Sequence, residues 1–582
     1  MVPAFLGVEQ SLTGRRWAGP DAETERRSAA LEQQTGQLGA VCRVLARLGV
    51  EEPDVAAYLA PSIRDLLPDP LLLKDMEKAA RRLTDAVQRS EKIAVFADYD
   101  VDGGASAALI SDWLAHFGIR PTLYVPDRVE EGYGPNEAAM QMLARDHSLI
   151  ICVDCGTLSH GPIEAAQGAD VLVLDHHLGG ETLPPALAVV NPNRQDESGE
   201  QGQLCAAAVV FLFLVEANRR LRPERDDLPD LMAALDLVAL ATVADVAPLT
   251  GVNRAFVRQG LRVMAGRARP GLTALADSAH LATAPRAYHL GFVLGPRINA
   301  GGRVGRADLG ARLLSCRDPR EAADLAAQLE RLNAERRDIE DAVRAEALAQ
   351  AEPRGLDAPL AWAAGEGWHP GVVGIVAARL KEAADRPAIV IGFDGDDGKG
   401  SGRSVPGVDL GAIIQRVAAE GLIGRGGGHR MAAGLSLTRA QLEPAMARIG
   451  ELVAASPVKF GAARELRIDG ALMAPAVSLE TIEALELAGP FGAAAPAPRF
   501  AFPAHQITFA RQVGQGHLKL RVAAAGATLD AIAFNAFDGP LGAVLSDHQG
   551  RTFHFAGRLE INTWQGRQSV QLRLEDAAVA QA

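Results

Sequence analysis

At 582 residues the chain is too long for one hydrophobic core, and roughly three to four domains are expected. Its 48% hydrophobic and 23% charged residues describe an ordinary soluble globular protein. A net charge of −13 excludes a protein that coats nucleic acid through bulk charge, while leaving room for a local basic groove.

Residues 1–74 read as a lead-in segment packed on the first domain, with a helix around residues 38–48 and no legible chemistry. Pro61, Pro68 and Pro70 punctuate the approach to a helix near residues 72–88. Residues 1–14 lack a basic start followed by an apolar core, so no signal peptide is expected. The longest strongly apolar stretch, residues 204–215, is shorter than the ~20 residues a membrane span needs, and it reads as a buried helix. No membrane association is expected. Five cysteines, at 42, 152, 155, 205 and 316, are few and odd in number, which fits reduced thiols in a cytoplasmic protein.

From residue 92 strands alternate with helices. Residues 93–97 form a short apolar run of the kind buried on both faces, leading straight into Asp98-Tyr-Asp100-Val-Asp102-Gly-Gly104. Residues 105–117 have the composition of a helix packing back on the sheet. Further strands are expected at 120–125, 149–153 and 171–174, with a helix at 135–146. This order argues for an α/β domain with a mostly parallel, doubly wound sheet. Three of its strands end in carboxylates: Asp98 to Asp102, Asp154 and Asp175. Ligands bind beyond the carboxyl ends of strands in open α/β sheets, so these acids should converge in one crevice. Clustered acids repel one another and resist desolvation without a counter-charge. A divalent ion with oxygen ligands, Mg²⁺ or Mn²⁺, would supply it. The competing reading is an acidic loop in water.

Asp175 runs directly into His176 and His177. Adjacent side chains diverge, so one histidine should face the metals while the other binds a phosphate or a supporting carboxylate. A polar cap on the strand is the plainer alternative. Residues 231–246 read as a helix with Asp245 near its end. Cys152 and Cys155 have C-x-x-C spacing, but no second pair lies at zinc spacing, and both thiols should pack around Asp154. Residues 286–312 hold five Arg against one Asp, and residues 401–440 hold five Arg against Asp409 and Glu420. Phosphate contacts are expected in those two stretches. Arg297 and Arg303 suit them because the guanidinium fork matches phosphate oxygens.

Asp98-Tyr-Asp-Val-Asp-Gly103, Val153-Asp-Cys-Gly156, Asp175-His-His177 and Asp245 resemble the four ordered motifs of the DHH phosphoesterase superfamily. Within it the chain is similar to the RecJ family of bacterial single-strand-specific exonucleases. That similarity continues through Gly295-Pro-Arg-Ile-Asn-Ala-Gly-Gly-Arg303, Gly367-Trp-His-Pro-Gly-Val-Val-Gly374, Gly400-Ser-Gly-Arg-Ser404 and Gly426-Gly-Gly-His429. Many superfamily members carry a histidine where this chain has Phe96, so the resemblance makes Asp98 the substitute ligand. It implies two Mn²⁺ or Mg²⁺ ions held by Asp98, Asp100, Asp102, Asp154, His176 and Asp245, with Asp154 shared between them. Asp175 completes the catalytic set, and His177 is assigned to phosphate contact or support. The implied reaction is phosphodiester hydrolysis from the 5′ end of single-stranded DNA, releasing 5′-mononucleotides in DNA repair and recombination. A 5′-phosphorylated strand would be the preferred substrate. A single-strand binding protein and a RecQ-type helicase are implied as partners. A monomer is the simpler expectation for a chain of several domains.

On this reading residues 75–318 form the catalytic domain and residues 319–354 a connecting helix. That helix carries Leu325, Leu329, Leu332, Ile339, Val343 and Leu348 on one stripe, opposite charges of both signs. Residues 355–456 resemble the DHHA1 domain, a second α/β unit. Its Gly365 to Gly371 loop, with His369, opens a helix whose start can cradle phosphate. Ser401 and Arg403 offer a hydroxyl and a guanidinium in a segment that, in the family, grips the terminal 5′ phosphate. Gly426-Gly-Gly-His429 lets backbone approach a ligand with His429 as the polar contact, unless the glycines only make a flexible turn. Arg297, Asn299 and Arg303 complete the phosphate-binding set. Residues 457–582 show short alternating runs that suggest a small β-barrel, and the resemblance makes it an OB-like domain. Among Phe509, Phe534, Phe537, Phe553, Phe555 and Trp564, one or two should stack bases and the rest fill the core. Two other family readings stay open. One is a phosphodiesterase for short oligonucleotides or cyclic dinucleotides, whose members usually lack an OB-like domain. The other is an inactive Cdc45-like scaffold, whose members lose several of the acids present here.

Overall fold

The structure, a computed structural model, describes residues 3–128, 131–458, 460, 464–564 and 567–580. The chain divides into two compact units, one of residues 67–247 and 256–461, the other of residues 1–66, 248–255 and 462–582. Among the described residues no helix is long and apolar enough to cross a membrane.

The larger unit is built on two sheets. The first has five parallel strands in the order Thr122–Tyr124, Ile93–Ala97, Leu149–Val153, Asp170–Leu174, Ala188–Val190. Ile93–Ala97 and Leu149–Val153 are buried at every position, as parallel strands covered on both faces must be. The helix Glu137–Asp146 packs Ala139, Met140 and Leu143 against Phe96, Ile150 and Val173 on one of those faces. The carboxyl ends of the central strands run into Asp98, Asp154 and Asp175, and the short fifth strand into Asn191. The glycines after the first strand have a steric cause. A Cβ on Gly103 would lie 2.4 Å from the backbone oxygen of Asp98, so only glycine lets the helix Val101–His116 begin so close to the strand end.

Asp318 accepts from the Arg320 and Glu321 amides and, with Pro319 behind it, starts a 33-residue helix, Pro319–Ala351. Its buried stripe departs from the expected one. Leu325, Leu329 and Val343 are buried, Leu332, Ile339 and Leu348 only partly, and the middle of the stripe is Asn333, Arg336 and Glu340. Arg336 bonds both Asn333 and Glu340 there through its two terminal nitrogens, which pairs the buried charges and leaves Nε without a partner.

The second sheet runs Arg425–His429, Ala432–Thr438, Asp397–Arg403, Ala388–Asp394, Ala361–Glu366. Its last two strands are parallel and the other pairings antiparallel. The Gly426 to His429 segment is therefore an edge strand and not a flexible turn. Register places His429 opposite Ala432, and Ala432 opposite Arg403. His429, Arg403 and, two residues back, Ser401 thus share one face. That face also carries Ala388 and Val390, which pack under the helix Pro370–Ala384.

The smaller unit contains a closed five-stranded barrel. Phe500–Val513, His517–Ala524, Ala527–Ala533, Arg567–Val579 and Thr552–Trp564 pair in that circular order, the last returning to the first. The lead-in segment as far as residue 66 belongs to this unit, which corrects the expectation that it packs on the first domain; residues 67–74 go with the larger unit. Arg16–Ala18 pairs parallel with Glu465–Arg467. Leu31, Val41, Val44 and Leu45 share one core with Phe500, Phe502, Phe553 and Phe555. The cause is apolar demand, because the amphipathic helix Gly39–Arg47 closes a core the barrel leaves open. Of the six candidate base platforms, Phe553 and Phe555 are fully buried, while Phe509, Phe534 and Phe537 are exposed. The Trp564 side chain lies outside the described residues.

Candidate metal centre

Asp98, Asp100, Asp102, Asp154, His176, His177 and Asp245 meet at the carboxyl edge of the parallel sheet. Their ligand atoms form three groups, each within 4.8 Å: Asp98, Asp100 and Asp154; Asp102, His176 and Asp245; Asp154, His176 and His177. Asp154 and His176 each belong to two groups, and His176 Nε2 lies 3.3 Å from Asp154 Oδ1. Each acid reaches the centre differently. Asp100 caps the helix Val101–His116, accepting from the Asp102 and Gly103 amides. Asp102 accepts from Ala206 and Ala207, the first two amides of the buried helix Ala206–Leu221. Asp154 adopts a left-handed φ of 59°, which aspartate tolerates better than most residues. Asp245 is the C-cap of the helix Leu235–Ala244.

Asp175 is different in kind. It accepts from the amides of Thr157, His176 and His177 and from His177 Nδ1 at 2.8 Å. Burial alone would raise its carboxyl, but the His177 contact and the Thr157 bonds outweigh burial and hold it well below the usual range. Burial works against the His177 cation, yet Asp175 raises the imidazole to about 9. Asp175 thus favours the protonated form of His177, while His176 projects among the acids.

The ligand acids show the opposite electrostatics. Burial first, and then repulsion from neighbouring aspartates, raises Asp98 and Asp154 well above the ordinary carboxylate value. Burial, then Asp102 and Asp100, pushes Asp245 up to about 8. No hydrogen bond reaches Asp98 Oδ1 or Asp154 Oδ1, although both atoms are buried. Orphaned carboxylate oxygens that crowd one another, with one imidazole beside them, form a donor set that fits hard divalent cations.

A basic cluster adjoins this centre. Arg303, on the helix Gly295–Val304, donates to the Gly371 carbonyl at 3.0 Å, at the start of the helix Pro370–Ala384. Arg403 donates to Ser401 Oγ at 3.0 Å, and a Cβ on Gly374 would lie 3.1 Å from each of these partners. The Arg128 guanidinium lies over the Tyr99 ring at 5.0 Å. Burial is the main cause that depresses the Arg303 and Arg403 guanidiniums, and Arg303 adds repulsion at Arg403. His369 caps the Pro370–Ala384 helix by accepting from the Gly371 amide. His429 stands exposed on the edge strand.

Arg297 stands apart from the expected phosphate set. Its guanidinium bonds both carboxylate oxygens of Glu330 and the Val293 carbonyl, so it ties the Gly295–Val304 helix to the long helix. Asn299 is half-buried, with its Oδ1 unpartnered. Four supporting residues escaped the sequence reading. Tyr133 Oη donates to the Asp154 carbonyl and lies 3.1 Å from His177 Nδ1. Asn191 and Asn193 donate to the carbonyls of His177 and His176. Arg128 is the fourth. The available signals were Gly132 and Gly134 flanking Tyr133, and Asn-Pro-Asn directly after the apolar run at 187–190.

Comparison with known proteins agrees with this arrangement. Three family models match: the DHH family, N-terminal domain, over residues 92–242; the DHHA1 domain over residues 357–455; and the RecJ OB domain over residues 468–576. The single-stranded-DNA-specific exonuclease RecJ of Dickeya dadantii is 39% identical over 95% of this chain and 98% of its own. That of Escherichia coli is 38% identical over 92% of this chain and 95% of its own. The crystal structure of RecJ in complex with Mn²⁺ from Thermus thermophilus superposes with a TM-score of 0.79 at 30% identity, covering 97% of this chain and 80% of that one. With three domain models in order and this identity across nearly both full lengths, the chain belongs to the RecJ family of single-stranded-DNA-specific exonucleases.

Proposed function

We propose that this chain is a metal-dependent exonuclease that hydrolyses single-stranded DNA from its 5′ end and releases 5′-mononucleotides, in DNA repair and recombination. The observation that carries this reading is the set of crowded carboxylates, with Asp98 Oδ1 and Asp154 Oδ1 unpartnered, beside a cluster of guanidiniums. Divalent cations would offset the repulsion among these acids, and a terminal phosphate would offset that among the guanidiniums.

Asp98, Asp100 and Asp154 would hold one Mn²⁺ or Mg²⁺ ion, and Asp102, His176 and Asp245 the other, with Asp154 reaching both. Ions bound there supply a nucleophile at neutral pH and offset the charge that builds on the phosphoryl oxygens. The protein's own contribution is orientation. Asp175 bonds His177 Nδ1 and fixes its ring, so the imidazole can face a phosphate oxygen of the scissile group. Arg303, Arg403 and Ser401, beside the start of the Pro370–Ala384 helix, grip the terminal 5′ phosphate. That grip sets how far the first phosphodiester lies from the carboxylates, and so gives one nucleotide per cut. The same reading makes the enzyme a cytoplasmic monomer acting on strands exposed by a RecQ-type helicase and coated by a single-strand binding protein.

Single-stranded DNA labelled separately at each end, with Mn²⁺ and with Asp154→Ala as control, tests the reading. Labelled mononucleotide should leave the 5′ end at once and should be absent in the variant. Cleavage of dinucleotides without cleavage of long strands would replace the exonuclease by a small-nucleotide phosphodiesterase. Binding without any cleavage would leave a scaffold.

A further inference from the structure

Next to the metal centre the protein exposes two aromatic rings that its fold does not use. Tyr288 and Phe292 are 54% and 71% exposed, and their rings stack with centroids 5.1 Å apart and planes 23° apart. They are carried by Ala287–His289 and by the π-helical turn Leu290–Leu294, a helix type that concentrates at functional sites. The turn is seated against the ligand segments. A Cβ on Gly291 would lie 3.3 Å from Val243, and one on Gly295 3.5 Å from Ala244 and 3.9 Å from Val101. Val243 and Ala244 immediately precede Asp245, and Val101 separates Asp100 from Asp102. Val246, directly after Asp245, is 70% exposed and holds a left-handed φ of 59°, a conformation a β-branched residue rarely takes.

The helix Gly295–Val304 then links two functions. Its start lies at this aromatic pair, and its other end carries Arg303 to the guanidinium cluster, a length of about 15 Å. We propose that Tyr288 and Phe292 form a stacking shelf for a base downstream of the scissile phosphodiester. This rests on the exonuclease reading above. A terminal phosphate held at Arg303 and Arg403 and a first phosphodiester at the carboxylates leave the following bases on the Asp245 side, where the shelf lies. Stacking needs an unpaired base, so the shelf contributes to the preference for single strands.

The test scans 2-aminopurine along a 5′-phosphorylated 12-mer bound to the full chain in EDTA, so that the readout needs no turnover. Quenching should peak at one position within the first few nucleotides. Phe292→Ala should abolish that peak and raise the Kd of the 12-mer about tenfold or more, whereas Phe292→Tyr should keep both. With Mn²⁺, Phe292→Ala should raise KM on the 12-mer and leave turnover of a dinucleotide unchanged. An abasic nucleotide at the peak position should weaken wild-type binding as much as Phe292→Ala does, without further loss when combined with it. Unchanged quenching and Kd in Phe292→Ala, or equal loss on the dinucleotide, overturns the shelf. So does a dimer that Phe292→Ala dissociates without changing DNA binding, which would assign this face to self-association. A wild-type chain that never cuts single strands from the 5′ end defeats the exonuclease reading instead.

Discussion

Gly302→Ala tests how tightly the metal centre is coupled to the helix Gly295–Val304. A Cβ at residue 302 would lie 2.1, 2.6 and 2.8 Å from Cδ2, Cγ and Cβ of Tyr99. Ordinary contact requires about 3.4 Å, so the Tyr99 side chain, down to its own Cβ, must retreat by roughly 1.3 Å. Tyr99 is buried, carries Arg128 over its ring, and stands between Asp98 and Asp100. The displacement therefore passes directly to two metal-ligand candidates. Misplacement of about 1 Å costs on the order of 10²-fold in rate. Overpacking costs about 1–3 kcal/mol of stability, which leaves the fold standing. The expected result is a folded variant whose kcat on single-stranded DNA falls about a hundredfold and whose Mn²⁺ dependence moves to higher concentration. Chevron or urea titration checks the fold, and single-turnover kinetics reads the chemistry. Tyr99→Ala should be non-additive with it, because the clash vanishes when the ring is gone. A folded Gly302→Ala enzyme with wild-type kcat would refute the coupling.

Asp154→Asn should abolish turnover at saturating Mn²⁺ yet raise the Tm of the chelated protein, since it removes one of several mutually repelling carboxylates. Metal-free protein should lose stability as pH rises from about 5 to 9, read as Tm in EDTA. The sign follows from raised folded values: the Asp245 proton is held up to about 8, and the His177 charge up to about 9. Stability from each is complete below its unfolded value and fades as pH rises through the folded one. A Tm that holds level or climbs over this range would contradict the burial of these acids without counter-charge. Arg403→Ala should reduce the preference for 5′-phosphorylated over 5′-hydroxyl ends more than it slows the chemistry, measured as the ratio of kcat/KM on the two substrates. Equal loss on both would remove Arg403 from the terminal-phosphate grip.

The catalytic sheet could be read from sequence because its information is local. Each central strand is an unbroken apolar run, and the acids that follow it inherit their position from the strand's end. The same rule carried Asp154 and Asp175, more than fifty residues beyond Asp98, into one crevice. Arg297 shows where that logic stops. Its charge and motif suited phosphate, but Glu330, one turn along another helix's stripe, took the guanidinium. Motif membership cannot reveal such a partner. Tyr133, Asn191 and Asn193 act through backbone carbonyls, and nothing in their residue types marks the carbonyl they will meet. The segment 1–66 was misplaced for a related reason, since its partners at Glu465–Arg467 lie near the other end of the chain.

That pairing bears on how the protein comes into being. Arg16 and Glu465 are separated by 449 residues. At about 5–20 residues per second, synthesis leaves the first strand without its neighbour for tens of seconds. Throughout that interval Trp17, later buried against Asp576, lacks Leu466, Ile468 and Ala501, the downstream side of its core. The larger unit, whose last residue is 461, can condense while the opening segment waits for the rest of the barrel. Any shortened version that keeps the barrel but drops residues 1–66 would carry the apolar face of that wait permanently, as an unfilled side of the core shared by Leu45 and Phe500.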